Sequence, residues 1–489
     1  MKIPHPKNGI IYCHTGSHKS SAVLFENSFI LTSGLTLLQV PSIARDFENF
    51  PKHNVIDVCS NPSVSFLRQI DYRLVIQGEN GRLFEKKAHI AYILNSTDIE
   101  STIKQNFKRL KFMVDGEYKD VTEYCKYFST FVILQYEGQN ILSLDDIKKY
   151  FKSMIKSVFL NMNLMEEIVC VSTPFGNEHF INSINFGHVA NLLGKDNCLA
   201  LLNVTSAFGC EGGGVYDKFM NLRSILLGSC FAHQDDNVCF PLAANISEII
   251  KILFGETSLQ NTPTKLTTLM ARSTCMIDAM GCWGTGCMFH LNGRNFVLTC
   301  AHVLSSENIT CYCNDASFQP GVVYKNPIFD SAYDIALLED TERKTRQNNL
   351  AELTNYIPIV GQTVYSVGFP IFKNFATDGA FKPSVYRGKV TNYSKGVLIT
   401  DCPVQTGQSG GPIYDEKGNL LAVMVSNFKS TIDDRIYPHH NMCIPICDIY
   451  DILHQYSQTN DFNTLNKLQA ERLIVNKWKL KRPMVESKL

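Results

Sequence analysis

The chain has 489 residues, 45% of them hydrophobic, and its 46 Lys and Arg residues balance 46 Asp and Glu residues to a net charge of zero. A protein without a basic excess has no electrostatic footprint for nucleic acid, and no run of about twenty apolar residues predicts a membrane span. The length predicts two or more domains.

Residues 1–255 are predicted as a first domain of short apolar strings and glycine-rich turns. The polar stretch 1–16 contains two prolines and has no apolar core of signal-peptide length. Residues near 41–110 are predicted as an insertion with exposed, turn-rich segments at 54–62 and 77–81. Exposed loops are where proteolytic cleavage concentrates, so we expect any self-cleavage there.

A polar segment rich in Thr and Pro follows, and we predict a linker over 256–275 and a second domain over 276–457. Three signals in this domain stand in order: Leu-Thr-Cys-Ala-His ending at His302, Asp-Ile-Ala-Leu-Leu beginning at Asp334, and Gly-Gln-Ser-Gly-Gly-Pro around Ser409. The order His, Asp, Ser is that of the chymotrypsin-type triad, whereas other triad folds use other orders. The apolar runs beside each signal predict β-strands.

Each of these residue types has a defined role in acyl transfer. A serine hydroxyl needs a base within hydrogen-bond reach, so His302 is expected to take the proton of Ser409 and pass it to the leaving amine. Asp334 is expected to fix the imidazole tautomer and to stabilise the imidazolium. The N–H groups of Gly407 and Ser409 are predicted to form the oxyanion hole.

The pocket for the substrate side chain is expected between the segment before Ser409 and the strand after it. The candidate lining residues are Pro403, Val404, Val425 and Ser426, with Cys402 and Asn427 beside them. These residues predict a small, apolar pocket that prefers small side chains, cysteine included, over Lys or Arg. Asp401 is the nearest acid, and we interpret it as structural.

Residues 458–489 are predicted to form a C-terminal helix and a tail. The helix is expected over 463–480, and its predicted apolar face consists of Leu465, Leu468, Leu473 and Ile474. The chain ends in Ser487-Lys488-Leu489, a tripeptide that import receptors read as a peroxisomal address at a carboxyl terminus. We therefore expect the protein in the peroxisome matrix, with the import receptor as a partner of the tail.

No metal or other cofactor is predicted. Cysteine pairs such as Cys311 and Cys313 lack a matching second pair at the spacing of a zinc site. No nucleotide-binding motif accompanies the three signals.

The three signals resemble the Deg/HtrA branch of the trypsin-like serine proteases. Gly284-Thr285-Gly286 resembles the branch's opening glycines, 361–370 resembles the strand that begins its second barrel, and Asp401 lies eight residues before Ser409 as an aspartate does in that branch. The resemblance implies an all-β fold, a trypsin-like double β-barrel with C-terminal helices, and serine endopeptidase activity. The branch's usual Asn-Pro-Gly-Asn before the serine is replaced by Gln-Thr-Gly-Gln at 405–408.

Together with the tail, the chain resembles the Deg-type processing proteases of peroxisomes. This resemblance implies that it removes targeting leader peptides from imported matrix proteins, including enzymes of fatty-acid β-oxidation. It also implies self-processing and self-association as a homo-oligomer.

The first domain resembles a degenerate copy of the second. Four landmarks agree in order: 29–35 with 296–302, 131–134 with 334–337, 183–189 with 384–390, and 209–217 with 407–415. This alignment places Leu35, Phe131 and Glu211 opposite the triad, and these side chains cannot perform acyl transfer. We therefore predict two double barrels, the first of them inactive.

Two alternatives remain at this point. A non-catalytic adaptor could use both barrels to hold peptides, although binding alone gives no reason to keep a complete triad in one copy. A general HtrA-like quality-control protease would usually carry a C-terminal PDZ domain, for which the residues after 457 are too few.

Overall fold

The protein was analysed as a computed structural model, which describes residues 7–13, 19–25, 29–39, 54–78, 80–108, 110–114, 117–139, 142–157, 162–233, 236–255, 265–314, 316–327, 333–342, 350–370, 382–429 and 436–479. The chain divides into two compact units, Met1–Thr262 (unit 1) and Pro263–Leu489 (unit 2). Among the described residues, no helix is long and apolar enough to cross a membrane.

Unit 1 is built from antiparallel strands that alternate with short turns. Its strands are β1 Lys7–Cys13, β2 Lys19–Phe25, β3 Phe29–Ser33, β4 Val55–Asp57, β5 Tyr72–Gln77, β6 Leu83–Asn95, β7 Lys111–Val114, β8 Glu117–Asp120, β9 Thr130–Tyr136, β10 Glu167–Ser172, β11 Ser183–Leu193, β12 Leu199–Asn203, β13 Gly214–Asp217, β14 Leu222–His233 and β15 Asp236–Asn245. Strands β3 and β9 are buried along their whole length, as expected for central strands made of continuous apolar runs.

Unit 2 repeats this construction. Its strands are β16 Thr274–Ala279, β17 Cys282–Leu291, β18 Arg294–Thr299, β19 Thr310–Cys313, β20 Ala316–Phe318, β21 Gly321–Lys325, β22 Ala336–Glu339, β23 Thr363–Gly368, β24 Ser384–Ser394, β25 Val397–Thr400, β26 Pro412–Tyr414, β27 Leu420–Lys429 and β28 Ile436–Pro445. Strands β23–β28 close into a barrel in the order β23-β24-β25-β28-β27-β26.

The four sheets share one strand order, except that the described β19 and β21 of unit 2 do not pair with each other. With the strands of a barrel lettered A to F along the chain, the neighbours are A-B-C-F-E-D, and D also pairs with A. In unit 1 the first barrel consists of β1, β2, β3, β5, β6 and β9, and the second of β10–β15. In unit 2 the first sheet has the same order, from β19 and β16 to β22 and β21, and the second is the closed barrel. The predicted fold class, all-β with trypsin-like double barrels in two copies, is confirmed.

The segment predicted as an insertion is only partly one. Residues 72–77 and 83–95 form β5 and β6, which supply two of the six strands of the first barrel. The additions to the shared order are β4 at one edge and the β7–β8 hairpin, which pairs with β14 of the second barrel. The polar, turn-rich sequence concealed the barrel strands because β6 begins with five exposed residues.

Helices are few, and half of those described follow the last strand of a unit. They are α1 Thr97–Asn106, α2 Cys125–Phe128, α3 Leu144–Ser157, α4 Ile246–Phe254, α5 Lys265–Arg272, α6 Ile446–Thr459, α7 Phe462–Leu465 and α8 Arg472–Trp478. Helix α5 lies within the predicted linker, 256–275, so that segment is partly structured. Helices α4 and α6 follow the last strand of each unit.

The predicted helix over 463–480 is broken into short pieces. A single turn of 3-10 helix, Asn466–Leu468, follows α7, and the chain extends before α8 begins. Leu465, Leu468 and Ile474 are buried, whereas Leu473 is 73% exposed and does not share their face. The prediction was wrong because apolar residues that lie on separate short helices were assigned to one face of a single continuous helix. The tripeptide 487–489 lies outside the described residues.

Candidate active site

His302 and Asp334 are brought together by the pairing of β18 with β22. His302 lies in a 3-10 turn, Ala301–Val303, directly after β18, and Asp334 lies two residues before β22. The strands are antiparallel with Thr299 opposite Ala336, so the end of one lies beside the start of the other. Two residues 32 positions apart in the chain thus become neighbours.

Both carboxylate oxygens of Asp334 bind His302. Oδ2 is hydrogen-bonded to the imidazole Nδ1, and Oδ1 accepts a hydrogen bond from the backbone N–H of His302 at 3.0 Å. The two bonds fix the ring's position and orientation. Because Nδ1 is engaged, Nε2 is the nitrogen left to exchange a proton with a nucleophile.

The turn that carries Ser409 packs against the strand and turn that carry His302. Thr285 N–H donates to the carbonyl of Ser409 at 2.9 Å. A Cβ added to Gly284 would lie 3.0 Å from that carbonyl and 2.5 Å from Val303, the residue after His302. The structure therefore brings the three sequence-predicted triad residues to one place in unit 2.

Gly407 needs to be glycine for two reasons. Its φ of +94° lies in the left-handed region. An added Cβ would lie 2.4 Å from the carbonyl of Phe369 and 2.6 Å from Trp283 Nε1. The turn is thus tight and closely packed on the side of the predicted oxyanion hole.

The backbone N–H groups of Gly407 and Ser409 have no hydrogen-bond acceptor among the described residues. Within the described part of the chain, neither N–H donates a hydrogen bond, whereas those of Gln408, Gly410 and Gly411 all do. Free N–H groups at this position are available to bind a developing oxyanion.

Gln408 anchors the turn from the inside. Its side chain is fully buried, and its Oε1 accepts a hydrogen bond from Gln405 N–H at 2.7 Å. Gln408 N–H in turn donates to the Gln405 carbonyl at 3.1 Å. These two bonds fix the turn that precedes Ser409.

Cys300 lies beside the dyad, and its sulfur, with His302 and Asp334, forms a group of potential metal ligands within 4.8 Å. The donor chemistry does not fit a metal. Burial raises the pKa of the Cys300 thiol well above its usual range, and the thiol donates to the carbonyl of Met424 at 3.3 Å. Both Asp334 oxygens are engaged by His302. The absence of a metal stays a prediction.

The predicted pocket residues do not all face one space. Val404 packs into the apolar core of the second barrel with Val364 and Leu398, so its side chain is part of the core. Val425 is buried, Pro403 is half-buried and Ser426 is exposed. Asn427, noted beside the pocket in the sequence, donates from Nδ2 to the Val404 carbonyl at 3.0 Å. Asn441 also contacts this segment, since its Nδ2 donates to the Cys402 carbonyl. Sequence reasoning did not include Asn441 because no motif marks it.

Two hydrogen bonds from Thr285 hold the serine turn of unit 2, and a third joins Thr285 to Thr299. Thr285 N–H and Oγ1 donate to the carbonyls of Ser409 and Gly407, at 2.9 and 2.8 Å. Thr299 Oγ1 donates to the carbonyl of Thr285 at 2.8 Å.

Unit 1 contains the same three bonds. Ser21 N–H and Oγ donate to the carbonyls of Glu211 and Gly209, at 2.8 and 2.6 Å, and Thr32 Oγ1 donates to the carbonyl of Ser21 at 2.8 Å. Glu211 is therefore the structural counterpart of Ser409, as the sequence comparison indicated.

The remaining counterparts follow from the strands. Leu35 stands where His302 does, three residues after the threonine in each unit. The strand register puts Thr130, not Phe131, at the position of Asp334. The predicted alignment was wrong by one residue at this landmark because short apolar strings match equally well one position out.

In unit 1, Glu211 binds the counterpart of one predicted oxyanion-hole donor. Its Oε2 accepts a hydrogen bond from the N–H of Gly209 at 2.7 Å, and Gly209 is the counterpart of Gly407. The carboxylate is 5% exposed. The donor that remains free in unit 2 is thus occupied in unit 1 by the side chain at the nucleophile position.

Comparison with known proteins gives the same class. Residues 284–423 match a family model described as a trypsin-like peptidase domain. The barrels of unit 2 and the arrangement of His302, Asp334 and Ser409 agree with that description of residues 284–423.

Among curated proteins, the chain is similar to the peroxisomal leader peptide-processing proteases of Homo sapiens and Mus musculus. It is 25% identical to the human protein over 365 residues, which is 65% of this chain and 60% of the relative. It is 29% identical to the mouse protein over 238 residues, which is 44% of this chain and 38% of the relative. The chain thus spans less than two thirds of either relative.

Among solved structures, the serine endoprotease from Yersinia pestis overlaps with a TM-score of 0.32 and 18% identity, over 41% of this chain and 69% of that one.

Proposed function

We propose that unit 2 is a serine endopeptidase that cleaves through an acyl-enzyme, with Ser409 as nucleophile, His302 as general base and Asp334 as its orienting acid. The observation that carries this proposal is the double hydrogen bond of Asp334 to His302, at Nδ1 and at the backbone N–H. That arrangement presents Nε2 to a nucleophile. The free N–H groups of Gly407 and Ser409 support the same reaction.

The mechanism assigns a proton transfer to each step. Ser409 Oγ attacks the scissile carbonyl while His302 takes its proton, and the oxyanion accepts hydrogen bonds from Gly407 and Ser409. His302 then gives the proton to the leaving amine, and a water molecule repeats the sequence to release the acid.

For the biological role, we propose that the protein removes amino-terminal leader peptides from matrix proteins inside peroxisomes. The names of the human and mouse relatives support this role. We also propose that unit 1 is catalytically inactive, because Leu35, Thr130 and Glu211 replace the triad.

The test is a paired digestion. Purified wild type and Ser409→Ala are incubated with a presequence-bearing peroxisomal matrix protein, and the products are identified by mass spectrometry. We expect a single amino-terminal cut by wild type and none by the variant. Equal cutting by both would remove Ser409 as the nucleophile, and an intact substrate in both would contradict the proposed role.

We propose self-processing and self-association as further properties of the active protein. Gln77 and residues 80–82 are exposed, and we propose cleavage there, between β5 and β6. Intact-mass spectra of wild type and Ser409→Ala test the first property: cleavage should occur only in wild type. Light scattering of the Ser409→Ala protein tests the second.

A further inference from the structure

Two asparagines face each other across the strands that border the candidate pocket. Asn427 on β27 lies directly opposite Asn441 on β28, so their side chains share one face of the sheet. Asn427 Nδ2 donates to the Val404 carbonyl at 3.0 Å, and Asn441 Nδ2 donates to the Cys402 carbonyl. Both side chains therefore contact the segment before Ser409, which forms the other wall of the pocket.

These contacts fix which end of each amide faces away from the wall. A carbonyl can only accept a hydrogen bond, so the NH2 group of each amide must face the wall. Both Oδ1 atoms are buried, and neither has a hydrogen-bond donor among the described residues. Buried amide oxygens without donors cost free energy, so a pair of them in one place calls for a physical reason.

The positions of the two asparagines can be compared between the units because β14 and β27 are equivalent strands. Gly212 N–H donates to the carbonyl of Leu226 in unit 1, and Gly410 N–H donates to the carbonyl of Met424 in unit 2, each at 2.8 Å. Leu226 therefore corresponds to Met424. Both strands have a register shift directly after that residue.

The alignment identifies the counterparts of the two asparagines. Ser229 corresponds to Asn427, and its Oγ is satisfied by the Oγ of Ser206 at 2.6 Å. Pro241 corresponds to Asn441 and has no side-chain acceptor. The amide oxygens without donors thus occur in unit 2, which contains the predicted triad. The equivalent positions of unit 1, Ser229 and Pro241, have no such oxygen.

We propose that Asn427 and Asn441 determine specificity, their Oδ1 atoms accepting hydrogen bonds from a neutral donor on the substrate side chain before the scissile bond. This inference rests on the proposed endopeptidase function. The substrate class is Ser, Thr, Asn or Gln at that position. Lys and Arg are disfavoured because amide oxygens supply no counter-charge for a buried cation. The pocket is then polar at its base, not purely apolar as the sequence predicted.

The experiment begins with a proteome-derived peptide library digested by full-length wild type and by Ser409→Ala. Cuts that depend on Ser409 are sorted by the residue before the cut. Flanking residues from the best sites are then built into peptide pairs that differ only at that residue, Thr against Val and Ser against Ala. Thr and Val have nearly the same shape, so their ratio isolates the hydroxyl.

We expect kcat/KM for Thr to exceed that for Val by about tenfold or more, since a buried acceptor left without a donor opposes the Val complex. Asn427→Leu and Asn441→Leu should each bring the ratio towards one, because each removes an acceptor that distinguishes Thr from Val. Asn441 is fully buried, so circular dichroism checks its fold, and the half-buried Asn427 provides a second, independent test.

Outcomes separate this inference from the function on which it rests. Ser409-dependent cuts with Val equal to or better than Thr, or a ratio unchanged in both folded variants, would overturn the inference alone. A library with no Ser409-dependent cuts would overturn the proposed function and the inference together.

Discussion

The two units have closely similar strand orders and the same bonds around the serine turn, yet they differ at the three predicted triad positions. In unit 2 the oxyanion donors are free and the dyad is assembled. In unit 1 the nucleophile position holds Glu211, whose carboxylate occupies the donor of Gly209. Retention of the scaffold bonds with loss of the triad teaches that the fold's stability and its catalysis depend on different residues.

The largest expected effect comes from removing the serine of unit 2 and placing a serine at the equivalent position of unit 1. Ser409→Ala should lower kcat by about 10⁶-fold, the scale seen when a triad serine is removed. Adding Glu211→Ser to that variant should restore nothing, because Leu35 supplies no base. Peptide-cleavage kinetics measure both. Activity in the double variant would show that unit 1 retains a working site.

Asp334→Asn should lower kcat by about 10⁴-fold, since the amide can stabilise the wrong imidazole tautomer. The matched change in unit 1, Thr130→Ala, should leave kcat unaltered. Similar losses in both variants would mean that the effect is structural. Thermal unfolding of each variant provides the control.

Gly407→Ala should lower kcat by about 10²- to 10³-fold with a smaller change in KM, because the added Cβ displaces an oxyanion donor. Gly209→Ala is the matched variant in unit 1, where the Cβ would lie 2.1 Å from Gly176 N. It should destabilise unit 1 without a comparable loss of kcat. Full activity in Gly407→Ala would contradict the assigned oxyanion hole.

Glu211→Ala should reduce the free energy of unfolding by about 1–3 kcal/mol, because Gly209 N–H loses its buried acceptor. Glu211→Gln retains an acceptor and should cost less. Urea unfolding monitored by fluorescence gives both values, and peptide cleavage should stay at the wild-type rate. Equal stability of all three proteins would show that the carboxylate does not support the turn.

The smallest effect concerns pH. Burial raises the pKa of Glu248 in α4, although a hydrogen bond from Ser96 opposes the shift. A carboxyl whose pKa is higher in the folded state favours folding at low pH, and this contribution is lost as pH rises through the folded pKa. Glu248→Gln should therefore stabilise unit 1 above that pH and change little at pH 4. Urea midpoints measured from pH 4 to pH 8 test the difference.

Sequence analysis predicted the barrel fold correctly because it depends on local patterns, and the assignment of the three triad positions stays a prediction. His302 and Ser409 each lie in a short motif, and apolar strands flank them. It failed where long-range pairing decides the outcome. β5 and β6 were taken for an insertion, and Val404 was assigned to the pocket although it packs into the core.

The sequence by itself determined the chemistry available: one histidine, one aspartate and one serine in chymotrypsin order, and no such set in the first copy. Only the tertiary structure decided that Thr130 lies at the position of the aspartate, that the Glu211 carboxylate accepts the hydrogen bond of Gly209 N–H, and that Asn427 faces Asn441. The physical reason is register. A strand shifted by one residue turns each side chain to the opposite face, and that choice is made by the whole barrel.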